Sequence, residues 1–244
     1  MGTVPVVTML ETRTIGEIAA GLPGASAVFR QFRLDYCCGG NVSLVKAAAR
    51  RGVSLDVLQA ALAELDTADE TGLPEDTGAL IDHVLSRYHE THRRDLPELI
   101  RLAEKVERVH GDHAEAPLGL AQVLREMQEE LESHMQKEEA ILFPLMRTGG
   151  RPGIVHPISQ MRHEHDQHAL QIRQLETLTD HFHLPEGACR SWQALYLGVA
   201  ALVADLMEHI HIENNILFAR FEAPQAAAQA GDVAPHSSCC GSCS

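Results

Sequence analysis

Residues 134–143 read His-Met-Gln-Lys-Glu-Glu-Ala-Ile-Leu-Phe, and residues 209–218 read His-Ile-His-Ile-Glu-Asn-Asn-Ile-Leu-Phe. His, Glu, Ile, Leu and Phe recur at the same relative positions in these two stretches. The His and the Glu of each stretch are four residues apart, so on a helix they share one face, about 6 Å apart along the axis. Each stretch therefore predicts a helical His-x-x-x-Glu motif whose two side chains can reach one metal site.

Two further histidines repeat in the same way, since His89 and His92 recur with the same spacing as His165 and His168. The chain is therefore predicted to contain two copies of a helical hairpin, each offering a single His and then a His-x-x-x-Glu pair. A buried carboxylate is costly unless it is paired or binds a metal. The predicted metal ligands are His89, His134, Glu138, His165, His209 and Glu213.

This set of donors favours a centre with two metal ions. Four imidazoles and two carboxylates without a thiolate suit iron or manganese better than structural zinc. If each Glu bridges both metals, each metal has two His nitrogens and two carboxylate oxygens. An oxo or hydroxo bridge adds one more ligand, so a six-coordinate metal keeps about one position open.

Alternating three- and four-residue spacing of apolar and ligand-type residues marks four long helices. They are predicted at residues 78–109, 117–147, 156–182 and 187–221, and Pro97 is expected to kink the first. Four long helices with short connections imply an antiparallel bundle. The predicted fold class is all-α, with an antiparallel four-helix bundle preceded by a small helical N-terminal domain.

The chain is predicted to divide into four parts. These are a small helical domain at 1–66 with the Cys37-Cys38 motif, a polar linker at 67–77, the bundle at 78–222 and a disordered, cysteine-containing tail at 223–244. In the small domain, Thr14 and Glu17 are predicted to form a capping box, and Ser54 is a plausible N-cap.

Composition limits the partners and the location. The 244 residues carry a formal net charge of −14, and so acidic a surface repels nucleic-acid phosphates and anionic membranes. No stretch approaches about 18 uncharged apolar residues, so no membrane-spanning helix is predicted. The first residues lack the basic region of a signal peptide, and adjacent cysteines form poor structural disulfides. A reducing cytoplasm is the predicted location.

Cys37 and Cys38 have two open interpretations. They are either small buried hydrophobic residues near a helix end, or a reactive thiol pair that carries nitrosyl groups, exchanges electrons or passes iron. The following Gly39-Gly40 would let the backbone approach closely. Three tail thiols are expected to do nothing specific, with transient metal binding as the alternative, namely Cys239, Cys240 and Cys243.

The other histidines are interpreted by position. Eight are expected to face solvent or lie in loops, namely His83, His110, His113, His156, His181, His183, His211 and His236. Three lie near the level of the site and are candidates for partners of the ligands, namely His92, His163 and His168. Glu164 directly precedes His165 and is expected to be solvated, with a position along a route to the metals as the alternative.

Seven motifs make the chain resemble the hemerythrin-like superfamily and, within it, the Ric (repair of iron centres) family of YtfE/ScdA-like di-iron proteins. They are Asp35-Tyr-Cys-Cys-Gly-Gly40, Arg87-Tyr-His-Glu-Thr-His92, Lys105-Val-Glu-Arg-Val-His110, Ser133-His-Met-Gln-Lys-Glu-Glu139 followed by Ile-Leu-Phe-Pro144, Glu164-His-Asp166, Asp205-Leu-Met-Glu-His209 and Glu213-Asn-Asn215. The resemblance extends to about residue 222 and implies two iron ions on the six predicted ligands, with both glutamates bridging. It also implies cytoplasmic repair of iron–sulfur clusters that nitric oxide or oxidants have damaged.

The leading hypothesis is a stress-response di-iron protein that repairs iron–sulfur clusters, by supplying iron or by clearing nitric oxide. Its partners would be iron–sulfur proteins as clients and nitric oxide or oxygen as small ligands, with Cys37 and Cys38 as accessory thiols. One alternative is an enzyme that reduces nitric oxide to nitrous oxide at the diferrous centre. Another is a sensor or store of oxygen or nitric oxide of the hemerythrin type, and a purely structural role is the weakest. The sequence leaves open whether the protein is an enzyme, and whether it is a monomer or a homodimer.

Overall fold

The computed structural model describes residues 10–65 and 72–222. These residues form helices and one isolated antiparallel bridge between Thr14 and Ser43, and no strand occurs among them. The predicted all-α fold class is therefore confirmed. The predicted tail at 223–244, with His236 and its three cysteines, and half of the predicted linker lie outside the described residues.

Four short helices build the N-terminal part, namely α1 (Ile15–Gly21), α2 (Ala25–Gln31), α3 (Leu44–Arg51) and α4 (Leu55–Ala63). The predicted capping box is present, because the Thr14 side chain accepts from the Glu17 amide and the Glu17 carboxylate accepts from the Thr14 amide. Ser54 is the N-cap residue of α4, but its side chain makes no capping hydrogen bond. The helices pack around a small core of their own that includes Phe29 and Tyr36.

Four long helices follow. They are α5 (Thr77–Val84, Leu85–His89 and Glu90–His110), α6 (Leu120–Lys137, Glu138–Leu142 and Phe143–Arg147), α7 (Val155–Leu178) and α8 (Arg190–His211, Ile212–Leu217 and Ala219–Glu222). α5 packs on α6 and α8, and α7 packs on α6 and α8. This arrangement is the predicted four-helix bundle.

Three helix ends differ from the predicted bounds by three residues or more, since α8 begins at Arg190 and not at residue 187. The other two have a local cause in the backbone. α7 ends at Leu178 because Asp180, His181 and Phe182 adopt left-handed backbone conformations, with φ of 43°, 55° and 64°. α6 begins at Leu120, directly after Gly119 at a φ of 91°. Local backbone geometry, which apolar spacing does not report, sets both ends.

Three of the long helices contain a π-helical turn, at Leu85–His89, Glu138–Leu142 and Ile212–Leu217. In each turn a backbone N–H bonds to the carbonyl five residues earlier, as Phe218 does to Glu213 at 2.8 Å. Such turns are rare and occur frequently at functional sites. Each of the three contains one predicted ligand, so the widened turns coincide with the candidate site.

Two apolar clusters occupy the bundle on either side of its middle. One includes Leu124, Leu131 and Leu206, and the other includes Leu80 and Phe143 among its members. Polar groups between such clusters lose contact with water, which raises the cost of any unpaired charge there. The predicted ligands lie in this enclosed middle zone.

The N-terminal part docks on α8 at Asn215. The side-chain amide of Asn215 donates to the Tyr36 carbonyl at 3.2 Å. Within the N-terminal part, the backbone N–H of Gly16 donates to the Gly40 carbonyl at 2.9 Å. A Cβ on Gly16 would lie 2.7 Å from Asn215 Oδ1, and a Cβ on Gly40 would lie 2.5 Å from the Tyr36 carbonyl oxygen. The close backbone approach expected at Gly39-Gly40 is present at Gly40.

α8 is long and apolar enough by composition to span a membrane, with a mean hydropathy of 1.4 over its most apolar window. In the structure, 61% of that window is buried inside the protein. The core helix of a bundle passes the same test of length and composition. Packing in the bundle therefore accounts for the apolar character of α8.

Candidate metal centre

The six predicted ligands meet in the middle of the bundle. Each of two groups of four offers ligand atoms within 4.8 Å of one another, His89, Glu138, His209 and Glu213 in the first and His134, Glu138, His165 and Glu213 in the second. Both glutamates belong to both groups, so the groups are adjacent. All six residues are at most 1% exposed.

The Nε2 atoms of the four imidazoles face the two carboxylates. Nε2 of His89 and of His134 each lie 3.4 Å from Oε2 of Glu138. Nε2 of His165 and of His209 each lie 3.1 Å from a carboxylate oxygen of Glu213. Each His-x-x-x-Glu motif thus places its two side chains at one centre, as the four-residue spacing predicts.

Three of the four imidazoles form a hydrogen bond at Nδ1, the ring nitrogen that does not face the carboxylates. A proton on Nδ1 leaves the Nε2 lone pair free, and such partners commonly orient metal-binding histidines. The pairs are His89 with Glu139 at 2.7 Å, His134 with Glu164 at 2.9 Å and His165 with Asn214 at 2.9 Å. Nδ1 of His209 makes no hydrogen bond to the described residues, and its ring stacks on Tyr88 with centroids 5.4 Å apart.

Glu164 differs from the expectation of a solvated carboxylate. Beyond its bond to His134, it lies 2.6 Å from the Lys137 ammonium, and the hydrogen bond from His134 holds its pKa well below the usual range. Glu139 receives a matching hydrogen bond from Arg93 at 2.8 Å. Both carboxylates are therefore positioned to stay ionised behind the imidazoles that they orient.

Sequence reasoning missed Glu139 and Asn214. The two residues occupy equivalent positions in the repeat, each directly after a predicted ligand glutamate. Their partners His89 and His165 are also equivalent. The internal repeat was the signal that could have found them, because a pseudo-twofold site needs equivalent partners on both sides.

Burial controls the protonation of the site. It lowers the pKa of His89 and of His134 to about 4, so both rings are neutral at pH 7. Burial and the adjacent Glu213 carboxylate raise the pKa of Glu138. Burial alone would also raise the pKa of Glu213, but His209 and His165 lower it overall. The metal-free site therefore combines the neutral rings of His89 and His134 with a Glu138 carboxyl group whose ionised form is disfavoured.

Several atoms that face the centre have no hydrogen-bond partner within the described part of the chain, namely His89 Nε2, both carboxylate oxygens of Glu138 and Glu213 Oε2. Leaving buried polar atoms unpaired costs free energy, and a buried unpaired charge costs several kcal/mol. Cations among these atoms would satisfy them. Imidazole nitrogens with carboxylate oxygens are donors that divalent transition metals accept.

The other histidines follow the expectation only in part. Five are exposed, namely His113, His156, His163, His181 and His183, while His83 and His110 are half-buried. The expectation for His211 is wrong, because its ring is 1% exposed and lies 5.3 Å from the Tyr36 ring. Docking of the N-terminal part covers the His211 ring.

His92 and His168 are buried beside the rings of His209 and His134, at centroid distances of 5.3 and 5.2 Å.

Cys37 and Cys38 lie against the backbone of α7, at the edge of the centre. Their Sγ atoms are 3.9 Å apart, and the Cys38 thiol donates to the His165 carbonyl at 3.5 Å. The hydrogen bond with Cys38, together with burial, raises the pKa of the Cys37 thiol. Asp35 joins them in a further group of potential ligands. The Cys38 thiol thus contacts the backbone of a predicted ligand, His165.

A helical bundle that encloses shared glutamates and inward-facing imidazoles defines a class of cation-binding proteins. Comparison with known families agrees, because residues 80–221 match the Hemerythrin HHE cation binding domain. Residues 11–66 match ScdA_N, described as a domain of unknown function (DUF542).

Curated relatives match over most of the chain. The iron-sulfur cluster repair protein YtfE of Dickeya chrysanthemi is 46% identical over 211 residues, which cover 85% of this chain and 96% of that protein. The protein of the same name from Musicola paradisiaca is 45% identical, with 85% of this chain and 95% of that protein covered. The chain therefore belongs to the Ric (repair of iron centres) family of YtfE/ScdA-like proteins with a hemerythrin-like domain.

Proposed function

We propose that the six converging residues ligate two iron ions, and that the protein repairs iron–sulfur clusters damaged by nitrosative or oxidative stress. The iron of the centre is then cargo as well as resident metal, and it is supplied to a damaged cluster. The relatives that match most of the chain are named iron-sulfur cluster repair proteins. Their name supports the proposed activity, and the site supports the proposed metal.

One observation carries the proposal, namely that Glu138 and Glu213 each belong to both groups of potential ligands. A shared carboxylate at hydrogen-bond distance from imidazoles on both sides can bridge two cations. The donor set contains no thiolate, which favours iron over structural zinc. Two iron ions held in this way supply redox-active metal that can also be released.

The chain's own residues would hold and tune the centre. Glu139, Glu164 and Asn214 keep Nδ1 of three imidazoles occupied, so that their Nε2 atoms stay directed inward. Ligation at such sites depends on these outer hydrogen bonds, whose loss weakens metal binding. Cys37 and Cys38 are proposed as accessory thiols for the transfer of iron, since they lie where the N-terminal part contacts His165 and Asn214.

The proposed partners follow from the same activity. Iron–sulfur proteins in a reducing cytoplasm would be the clients, because cysteine thiols stay reduced there. The net charge of −14 makes nucleic acid and anionic membranes unsuitable partners. Nitric oxide and oxygen would reach the centre as small ligands.

The test combines iron-loaded protein with a dehydratase whose four-iron cluster has been damaged by nitric oxide. Isotope-labelled iron in the centre is followed into the dehydratase while its activity is measured. The expected result is recovered activity with labelled iron in the repaired cluster. The double variant Glu138→Gln/Glu213→Gln should transfer little iron, and Glu126→Gln, an exposed glutamate on α6, should match the wild type.

Absence of both reactivation and iron transfer would overturn the proposal. Nitrous oxide released over several turnovers, without iron transfer, would instead establish a nitric oxide reductase. Reversible oxygen binding without either reaction would establish a sensor or store.

A further inference from the structure

A cleft of about 300 Å³ lies between the N-terminal part and the bundle, apart from the metal centre. Its walls come from α2 and the segment after it, the end of α3, and the facing sides of α7 and α8. Cavities of this size hold small molecules, and they occur preferentially where two structural units meet. Of the residues that the proposed function uses, only Cys37 lines this cleft.

Four arginines line the cleft, namely Arg30, Arg33, Arg51 and Arg173. The carboxylates in its wall, Asp35 and Glu176, are half as many. The cleft therefore carries positive charge in a chain whose net charge is −14. Such local charge of opposite sign to the whole molecule draws anions to one place.

Among the described residues, three of these four guanidinium groups have at most a loose ion pair. Arg30 is engaged, since it bonds the Tyr36 hydroxyl at 3.0 Å and lies 3.5 Å from Glu208. Arg173 has only a loose pair with Asp35 at 3.9 Å. Arg33 and Arg51 are exposed and form no ion pair with any residue that the structure describes. Guanidinium groups without a strong ion pair suit carboxylates and phosphates, which they bind through two parallel hydrogen bonds.

Residues with a strained backbone conformation line the same cleft. Among the described residues, the only non-glycine residues with positive φ are Arg33, Asp180, His181 and Phe182. Three of them, Arg33 at 54°, His181 at 55° and Phe182 at 64°, line the cleft. Such conformations cost free energy and cluster at ligand-binding and active sites. Their occurrence on two separate segments that face one cavity points to a built binding site.

The floor of the cleft is apolar. Ile172, Val203 and Met207 line it, with Phe182 at its side. A bare inorganic anion would gain nothing from this surface, whereas a carbon skeleton would bury apolar area against it. The apolar residues favour a ligand with a carbon skeleton, and the arginines favour a ligand with negative charge. We propose that this cleft binds a small organic anion with two or more carboxylates on a short carbon skeleton.

Cys37 also lines the cleft, and its carbonyl accepts from Asn214 at 3.0 Å. A ligand bound there would touch the segment that contacts the metal centre through Asn214. Two kinds of molecule share the required chemistry, a polycarboxylate such as citrate and a thiol-bearing dicarboxylate such as glutathione. The experiment separates them.

Binding is measured by titration calorimetry on the full chain at low ionic strength. The probes are citrate, glutarate, reduced glutathione, inorganic phosphate and the uncharged glutaramide. We expect saturable binding of at least one carboxylate probe, weak binding of phosphate and none of glutaramide. Citrate or glutarate binding assigns a polycarboxylate, and binding of glutathione alone assigns the thiol-bearing ligand.

Variants locate the site. Arg33→Asn removes a charge and keeps a residue that tolerates the left-handed conformation, and Arg173→Gln removes another. Each should weaken binding by about tenfold or more, as expected for the loss of a charged hydrogen bond. Arg108→Gln, at an exposed position on α5, should change it less than about twofold, the range of surface substitutions away from special features.

Three results would overturn the proposal. They are no saturable binding of any carboxylate probe, phosphate binding as strong as that of the carboxylates, and equal affinity in Arg173→Gln and Arg108→Gln. Thermal unfolding of each variant confirms that it is folded. Citrate and thiols also bind iron, so the titrations are run on both the metal-free and the iron-loaded protein. Binding at the cleft is the part that Arg33→Asn and Arg173→Gln weaken in both forms, which separates this test from the test of the proposed function.

Discussion

Asn214 links the predicted ligand His165 to the N-terminal part of the protein. Its side-chain oxygen accepts a hydrogen bond from His165 Nδ1 at 2.9 Å, and its side-chain nitrogen donates to the Cys37 carbonyl at 3.0 Å. The residue is 5% exposed, so water does not compete for either bond. Movement of the Cys37 segment is therefore coupled directly to the orientation of one imidazole in the centre.

Replacement of Asn214 tests this coupling. Asn214→Ala removes the acceptor for His165, so iron affinity should fall by about 10- to 100-fold, the usual effect of losing an outer partner of a ligand. Competition with a chromophoric chelator measures the affinity. Asn41→Ala, at an exposed position, is the control. Equal affinities in the two variants would show that Asn214 does not orient His165.

Removal of one shared carboxylate tests the two-metal arrangement. Glu138→Gln takes a potential ligand from both groups at once, so bound metal should fall to one ion or fewer per chain. The metal-free variant should melt no lower than the metal-free wild type, because burial already favours the neutral form of Glu138. Elemental analysis and thermal unfolding provide the two readouts. Glu126→Gln is the matched control, and an unchanged metal content in Glu138→Gln would contradict the shared role.

Gly16 tests the close packing between α1 and α8. A Cβ there would lie 2.7 Å from Asn215 Oδ1 and 3.0 Å from the Gly40 carbonyl oxygen. Gly16→Ala should therefore lower the melting temperature, although Ala favours a helix over Gly by about 1 kcal/mol. At Gly21, in the same helix, a Cβ would approach only the flexible end of Arg13, at 3.2 Å. Gly21→Ala should melt at or above the wild-type temperature, and the opposite order would refute the packing argument.

Acid should destabilise the metal-free protein. Burial lowers the pKa of His89 and of His134 to about 4 and that of His168 to about 3, against about 6.5 in the unfolded chain. As the pH falls from about 6.5 to about 4, the unfolded chain binds protons that the folded chain does not, so the free energy of unfolding decreases. Above about pH 7 these groups contribute no pH dependence.

Urea unfolding of the metal-free protein at pH 7.5 and at pH 5, measured by circular dichroism, checks this expectation. His168→Gln should reduce the difference between the two pH values, because it removes one of the groups. His156→Gln, at an exposed position, should leave the difference unchanged. The raised pKa of Glu138 acts in the opposite direction, so the comparison between variants decides. The same difference in His168→Gln as in the wild type would show that the fold does not hold the His168 ring neutral.

Several features needed contacts that no spacing reveals. Glu164 looks like a surface residue in the sequence, yet it accepts from His134, which lies on a different helix. His211 lies on a helix close to a predicted ligand, yet the docked Tyr36 ring covers it. The π turns insert a residue where regular helical periodicity predicts none. Periodicity reports a helix face, and it does not report which neighbour that face will meet.

The amino-acid sequence by itself determined the all-α bundle and the six side chains that meet in it. Apolar periodicity is local, and the internal repeat places equivalent groups on equivalent helices. The family resemblance implied that both glutamates bridge, and the tertiary structure places Glu138 and Glu213 in both groups of potential ligands. Only the tertiary structure decided that Asn214 links His165 to Cys37 and that arginines from separate segments line one cleft. The reason is that burial and hydrogen bonding between residues far apart in the chain depend on how the helices pack, which a one-dimensional pattern does not contain.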